Sequence, residues 1–170
     1  MIETKRLLIR KYTAEDVPAL HKILSDPVTM SFWPAPFSLE QTRGWIERSI
    51  KSYDEYGFGR MAVILKATGA VIGDCGIIFN YELKGKKEND LGYIIHNPYW
   101  GKGYGAEAAG AVMQYAFETL KLERIIANMA FDNIASARVA EKIGMKKEKE
   151  FYNPRNRNIL TYLFSIKRNL

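Results

Sequence analysis

Residues Asn97 to Ala109 read NPYWGKGYGAEAA, with Gly101, Gly103 and Gly105 at every second position just ahead of a helical stretch. A glycine inside a helix costs about 1 kcal/mol relative to alanine, so three of them call for backbone freedom or close approach of another group. Strand, glycine turn and helix together make first-turn N–H groups converge on an anion, because those donors lack intrahelical partners and the helix dipole supports them. A triphosphate loop would need Gly-Lys followed by Ser or Thr, and no such sequence occurs. The dinucleotide pattern G-x-G-x-x-G/A is matched by Gly101, Gly103 and Ala106. That pattern, however, normally follows the first strand of a βαβ unit and needs an acidic residue closing the second strand. Here Glu123 precedes its strand, and fewer than 70 residues follow the turn. A different phosphate-bearing cofactor and a plain tight turn both remain open. Asn133 and Ser136, three apart in DNIASARVAEKIG, share one face of a short helix. Their simplest account is a helix cap and a first-turn residue.

The elements that must position these residues are legible from periodicity. RLLIR at Arg6 to Arg10 reads as a strand, and Thr13 followed by Ala14, Glu15 and Asp16 suits a helix start. Val17, Leu20, His21 and Leu24 share one face of that helix, which makes His21 a packed residue rather than a ligand. After the irregular MSFWPAPF, the capping box SLEQ at Ser38 opens a helix running to about Tyr56 with Trp45, Ile46, Ile50 and Tyr53 inward. Met61 to Lys66 and Ala70 to Asn80 read as a hairpin around ATG, and YELKGKKEN as a polar loop. LGYIIH at Leu91 to His96 is a strand. From Ala106 onward, Ala109, Val112, Met113, Ala116, Phe117 and Leu120 fall at helical spacing. RIIANMAF at Arg124 to Phe131 is a strand, and Gly144 stops the short helix after it. Strands at Lys146 to Phe151 and Ile159 to Ile166 close the chain around NPRN. The order predicts an α/β fold of the α+β kind: one mixed sheet with helices around it.

Composition narrows the function classes. At 170 residues, 47% hydrophobic and 26% charged, the chain fits one domain able to bury a full core. Its net charge of +6 is spread out, with small clusters at Lys84, Lys86 and Lys87 and at Lys146, Lys147 and Lys149, and no aromatic interleaving. A nucleic-acid partner is therefore not expected. Cys75 is the only cysteine, which excludes an internal disulfide. No apolar run reaches the ~20 residues of a membrane span, and the N-terminus has no apolar signal core, so a cytoplasmic protein without a membrane partner is expected.

LGYIIHNPYWGKGYGAEAAGAVMQYAFE resembles the acyl-CoA-binding core of the GNAT acetyltransferase superfamily, and within it the RimJ/RimL-like branch of protein N-terminal and small-amine acetyltransferases. The likeness extends in family order to TKRLLIRKYTAEDVPALHKILSDP, AVIGDCGI and DNIASARVAEKIGM. It implies a single GNAT domain over 1–170, with about seven strands, mainly antiparallel, and about four helices. The sheet is expected to splay between the strand at 91–96 and that at 124–131. It also implies acetyl-CoA as co-substrate, no metal, an amine acceptor on a peptide N-terminus or small molecule, and a monomer or homodimer. Where many members carry Gln or Arg three residues before the middle glycine, this chain has Trp100, the WGKG form common in the branch.

The resemblance assigns cofactor binding to main-chain groups of Tyr93, Ile94 and Ile95 for the pantetheine arm. The pyrophosphate falls to Gly101, Lys102, Gly103, Tyr104, Gly105 and Ala106. Asn133 is placed on the pantetheine and Ser136 near the sulfur, as candidate acid for the departing thiolate. Many members use a Tyr farther along that helix, where this chain has Ala140. Some use a Glu in the strand after the long helix, where this chain has Asn128. Asp90, entering the cofactor strand, matches an acidic position common in the branch and is the candidate base, with His96 as a further titratable group nearby. Ser31, Phe32, Trp33 and Pro34, with Tyr81, Tyr152 and Asn153, are candidate walls of the acceptor pocket. The missing Tyr and Glu leave a second reading, a catalytically inactive CoA-binding sensor or accessory protein.

Overall fold

The computed structural model describes residues 1–83 and 85–169, with the side chains of residues 80–83 outside that description. One sheet runs through the molecule. Its strands are β1 (Ile2–Glu3), β2 (Leu7–Lys11), β3 (Arg60–Leu65), β4 (Ala70–Leu83), β5 (Lys86–Ile95), β6 (Arg124–Ala130), β7 (Lys146–Asn153) and β8 (Ile159–Lys167). Their spatial order is β1-β2-β3-β4-β5-β6-β8-β7. Every pairing is antiparallel except β5 with β6. The expected seven strands become eight because the two-residue β1 is too short to leave a periodic signal. The stretch expected as a polar loop instead extends β4 to Leu83 and starts β5 at Lys86. Its polar side chains concealed a hairpin whose backbone pairs anyway, as antiparallel strands with a solvated face can.

Among the described residues, four α-helices cover the sheet: α1 (Val17–Leu24), α2 (Leu39–Tyr56), α3 (Tyr104–Glu118) and α4 (Ile134–Lys142). Ser38 caps α2 as its sequence predicts, accepting from the Gln41 N–H, while Gly57 at φ 82 ends the helix in the left-handed region. The strands alternate between two cores. Val63, Leu65, Cys75, Ile77, Leu91, Ile125 and Ala127 pack with Ala108, Ala109, Val112 and Ala116 of α3 on one face. Ala62 and Ile94 pack with Leu20, Ile23 and Leu24 of α1 and Ile46 of α2 on the other. Because side chains along a strand alternate in direction, this phase assigns every strand residue to one face. Odd positions of β5 face α3. Asp90, Gly92 and Ile94 face α1 and α2.

The sheet opens between β5 and β6. They share one bridge, Asp90 with Ile126. Below it, side chains hold the strands together: Asn89 Nδ2 donates to the Arg124 carbonyl at 3.1 Å, and Arg124 Nε reaches Glu88 Oε2 at 3.2 Å. Above it the strands part, and β6 pairs only with β8, from Arg124 with Lys167 to Ala130 with Thr161.

Candidate active site

On the α3 side of the opening, the glycine turn enters its helix. Gly101 at φ 74 and Gly103 at φ 80 occupy the left-handed region, where a side chain would strain the backbone. Gly103 is the residue preceding α3, and the first helical bond runs from Glu107 N to the Gly103 carbonyl at 3.1 Å. The N–H groups of Tyr104, Gly105 and Ala106 therefore precede any intrahelical acceptor. Gly105 is different. Its φ is ordinary, and a methyl there would make only van der Waals contact with Val139 of α4 and Ile95 of β5, at 3.6 and 3.7 Å. Nothing inside the protein requires a glycine at that position, and its missing side chain faces the gap between β5 and α4.

Arg6 secures the turn from β2. Its Nη1 donates to the Lys102 carbonyl at 2.8 Å, its Nε to Glu107 Oε2 at 2.7 Å, and its guanidinium lies 4.4 Å from the centre of the Tyr104 ring. Glu107 also accepts from the Thr4 hydroxyl at 2.6 Å. Sequence reasoning missed this brace, since Arg6 and Glu107 are 101 positions apart. Trp100 is half exposed and donates its indole N–H to the Ile95 carbonyl at 2.6 Å.

Tyr93 crosses the gap. Its hydroxyl donates to the Ser136 carbonyl at 2.7 Å, and burial raises its pKa well above the ordinary tyrosine range. Asn133 caps α4 by accepting from the Ser136 N–H at 3.1 Å. Ser136 is thus fixed through its backbone on both sides, and it lines the cavity with Asn133.

That cavity, of about 400 Å³, reaches from Tyr93 and Ser136 through the opening to the α1–α2 face. Phe32, Trp33 and Pro34 line it, together with Trp45 of α2, Asn153 at the end of β7, and Arg155 and Asn156 after it. Trp33, Trp45 and Phe37 form an edge-to-face cluster with centroids 5.5 to 5.8 Å apart. Asn156 Nδ2 donates to the Phe32 carbonyl at 3.1 Å, joining the aromatic loop to the β7–β8 turn. A second tie anchors that loop to the end of β5. The Asp26 carboxylate accepts from the Thr29 hydroxyl at 2.5 Å and from Asn97 Nδ2 at 2.9 Å, and Thr29 with Asn97 holds its pKa down to about 2.

Not every candidate wall residue joins the cavity. Tyr152 is 67% exposed and stands outside the lining, because its neighbours Phe151 and Asn153 take the opposite direction on β7. Ser31 is exposed, His96 lies beside the Tyr99 ring outside the lining, and the Tyr81 side chain lies outside the described residues.

At the floor, burial pushes the Asp90 carboxyl up to about 7, against the opposing influence of Arg60, Asn128 and Arg155. Asp90 Oδ1 and both amide atoms of Asn128 are shut off from solvent without completing a hydrogen bond. Buried polar atoms left in this state are costly, and both residues line the cavity. Asn128 is an uncharged amide, and among the described lining residues Asp90 is the one carboxyl.

Beside Asp90 lies a buried network that sequence reasoning also missed. Asp74 is fully buried; its Oδ1 accepts from Arg60 Nε at 2.5 Å, and its Oδ2 from the Tyr12 hydroxyl at 2.6 Å and Trp45 Nε1 at 3.0 Å. Arg60 Nη2 completes the ion pair. An aspartate inside the otherwise apolar AVIGDCGI was the available signal. Among the described residues, no group of three or more His, Cys, Asp or Glu is placed to hold a metal ion, and no helix is long and apolar enough to cross a membrane.

Both the sequence and the fold are matched by known proteins. Residues 6–146 match the family model of the acetyltransferase (GNAT) domain. The chain belongs to the GNAT acetyltransferase family. It is 35% identical over 148 residues to YnaD of Bacillus subtilis, an uncharacterised N-acetyltransferase, covering 86% of this chain and 83% of that one. A GNAT-family acetyltransferase structure from Bacillus anthracis superimposes with TM-score 0.82 at 33% identity, covering 98% of this chain and 97% of that one. The fold recurs at 20% identity in a ribosomal-protein-S5-alanine acetyltransferase from Vibrio fischeri, with TM-score 0.81 over 98% of this chain and 96% of that one. Fold neighbours of this GNAT chain thus include ribosomal-protein acetyltransferases, in keeping with the RimJ/RimL-like branch.

Proposed function

We propose that this GNAT chain is an acetyl-CoA-dependent N-acetyltransferase that acetylates a primary amine, on a peptide N-terminus or a small molecule, by direct attack. The observation that carries the reading is the lone β5–β6 bridge at Asp90 and Ile126. Beyond it, β5 offers an open edge reached from one face past the glycine turn and from the other through the aromatic cavity.

In this reading the main chain at Tyr93, Ile94 and Ile95 takes the pantetheine arm as an added strand. The N–H groups from Gly101 to Ala106 take the pyrophosphate, with Lys102 supplying charge. Tyr104 contributes its N–H, since its ring is engaged by Arg6. The glycine at 105 fits this assignment, because a side chain there would enter the space between Ile95 of β5 and Val139 of α4.

A neutral amine entering past Phe32 and Trp33 attacks the thioester carbonyl, polarised by main-chain N–H near Ile95. The C–N bond forms and the C–S bond breaks. The amine proton passes to Asp90, directly or through water, and the departing thiolate accepts a hydrogen bond from the Ser136 hydroxyl, with solvent restoring any proton that Ser136 passes on. A carboxyl titrating near 7 suits a base working at neutral pH. Holding both reactants across one gap supplies much of the acceleration.

The test is a thiol-release assay with acetyl-CoA over a panel of amines that includes peptides with Ser or Ala N-termini. Amine-dependent release is expected. Tight CoA binding with no release for any amine would overturn the enzyme reading in favour of a CoA-binding sensor.

A further inference from the structure

Arg60 reaches the cavity by an unusual route. In the sheet register Arg60 lies opposite Gly76 of β4, and Gly76 opposite Gly92 of β5, so the arginine starts two strands from the opening. A Cβ at Gly92 would fall on Arg60 Nη1, which places the guanidinium in the space a side chain at position 92 would occupy. Asp90 is two residues from Gly92 on the same strand face. The guanidinium and the Asp90 carboxyl are therefore neighbours on the cavity floor, and both line it. Arg60 is 5% exposed and held from behind by Asp74, whose other oxygen is occupied by Tyr12 and Trp45. The arginine cannot swing away without leaving Asp74 unpaired.

We propose that Arg60 is the positioning residue of Asp90: delivered through the slot left by Gly92, its guanidinium keeps the Asp90 carboxylate charged and available to the acceptor amine.

Other groups around Asp90 have been assigned. Its partner across β4 is the apolar Ile78. From β6 it meets the uncharged amide of Asn128, and from the β7–β8 turn the charge of Arg155. On its own strand Glu88 is engaged by Arg124, and Tyr93 by the Ser136 carbonyl. Arg60 exerts the largest of the influences that favour the charged carboxylate. Asp74 fixes it in place from behind.

The kinetic half of this inference rests on Asp90 being the proton acceptor; the electrostatic half does not. Both are read on the full chain, from the ¹³C shift of the labelled Asp90 carboxyl against pH and from the pH profile of kcat/KM for the amine. Removing Arg60 alone would strand Asp74, so the main variant is R60Q/D74N, which neutralises the pair while keeping its shape. Gly92→Ala, which displaces the guanidinium without changing any charge, is the independent second variant. Arg60→Lys is the rescue. Loss or displacement of the guanidinium should raise both midpoints by about one pH unit or more, the size expected from one close opposite charge. Arg60→Lys should hold them near the native value. An Asp90 titration that stays in place in both R60Q/D74N and Gly92→Ala would overturn the proposal. A carboxyl midpoint that moves while the kinetic limb does not would uphold Arg60 as the partner of Asp90 and overturn Asp90 as the base.

Discussion

The two faces of the opened sheet are built on different principles. The cofactor face uses main chain: two glycines at positive φ, three first-turn N–H groups and the free edge of β5. Its residues come from two short stretches, 93–106 and 133–136. The acceptor face uses side chains gathered from well-separated segments, among them Trp33, Trp45, Arg60, Asp90, Asn128 and Asn156. In the proposed function, one face presents preorganised dipoles to a ligand whose chemistry does not vary. The other presents buried charge and aromatic walls, features that select among ligands. Substitutions on the two faces should therefore fail in different ways.

The largest effect is expected on the acceptor face. Arg60→Leu leaves Asp74 buried and unpaired, and breaking such a pair costs about 3–5 kcal/mol. Denaturant unfolding should show that loss, with much of it recovered in a double variant that also carries Asp74→Asn. On the face proposed for the cofactor, Gly105→Glu meets no backbone strain and its Cβ only ordinary van der Waals contact, so the fold should be retained. Acetyl-CoA affinity by calorimetry should nevertheless fall by about 100-fold, ~2.7 kcal/mol, because a carboxylate enters the gap beside the phosphates. Equal affinity would remove the glycine turn from the cofactor site. Ser136→Ala should lower kcat by about 10- to 100-fold with little change in acetyl-CoA affinity. Unaltered kcat would leave Asn133 and Ser136 as a helix cap alone.

Asp90 gives a prediction with a sign. Its native carboxyl keeps a proton up to about 7, whereas an unfolded aspartate releases one near 4. Between those values the native state binds more protons, so stability falls as pH rises from about 4 to about 7. Asp90→Asn removes that cost. The variant should gain in Tm over the native chain at pH 8 and show no such gain at pH 4, while losing activity. The smallest effect is expected at Tyr152. Exposed and outside the cavity, its change to Ala should move the amine KM by less than about twofold.

The same contrast explains what was readable beforehand. The elements of the face proposed for the cofactor were legible because they are contiguous and have a distinct grammar: strand, glycine turn, helix, then a capped short helix. The capping box at Ser38 and the hairpin around Ala67 to Gly69 were legible for the same local reason. The acceptor face depends on register. Nothing near Arg60 announces that Gly76 and Gly92 stand in line with it across two strands, or that Asp74 holds it. Tyr152 was placed among the walls on residue type alone, and strand direction turned it outward. The Arg6–Glu107 brace was hidden in the same way, by a contact between distant parts of the chain.

The central claim is that acetyl-CoA lies along the open edge of β5 and on the glycine turn, with the amine arriving from the opposite face. Amide hydrogen exchange with and without acetyl-CoA tests it most directly. Slower exchange is predicted at residues 93–95 and 101–106, with little change in β3. Unchanged exchange in both segments, at a concentration where the ligand is bound, would contradict it.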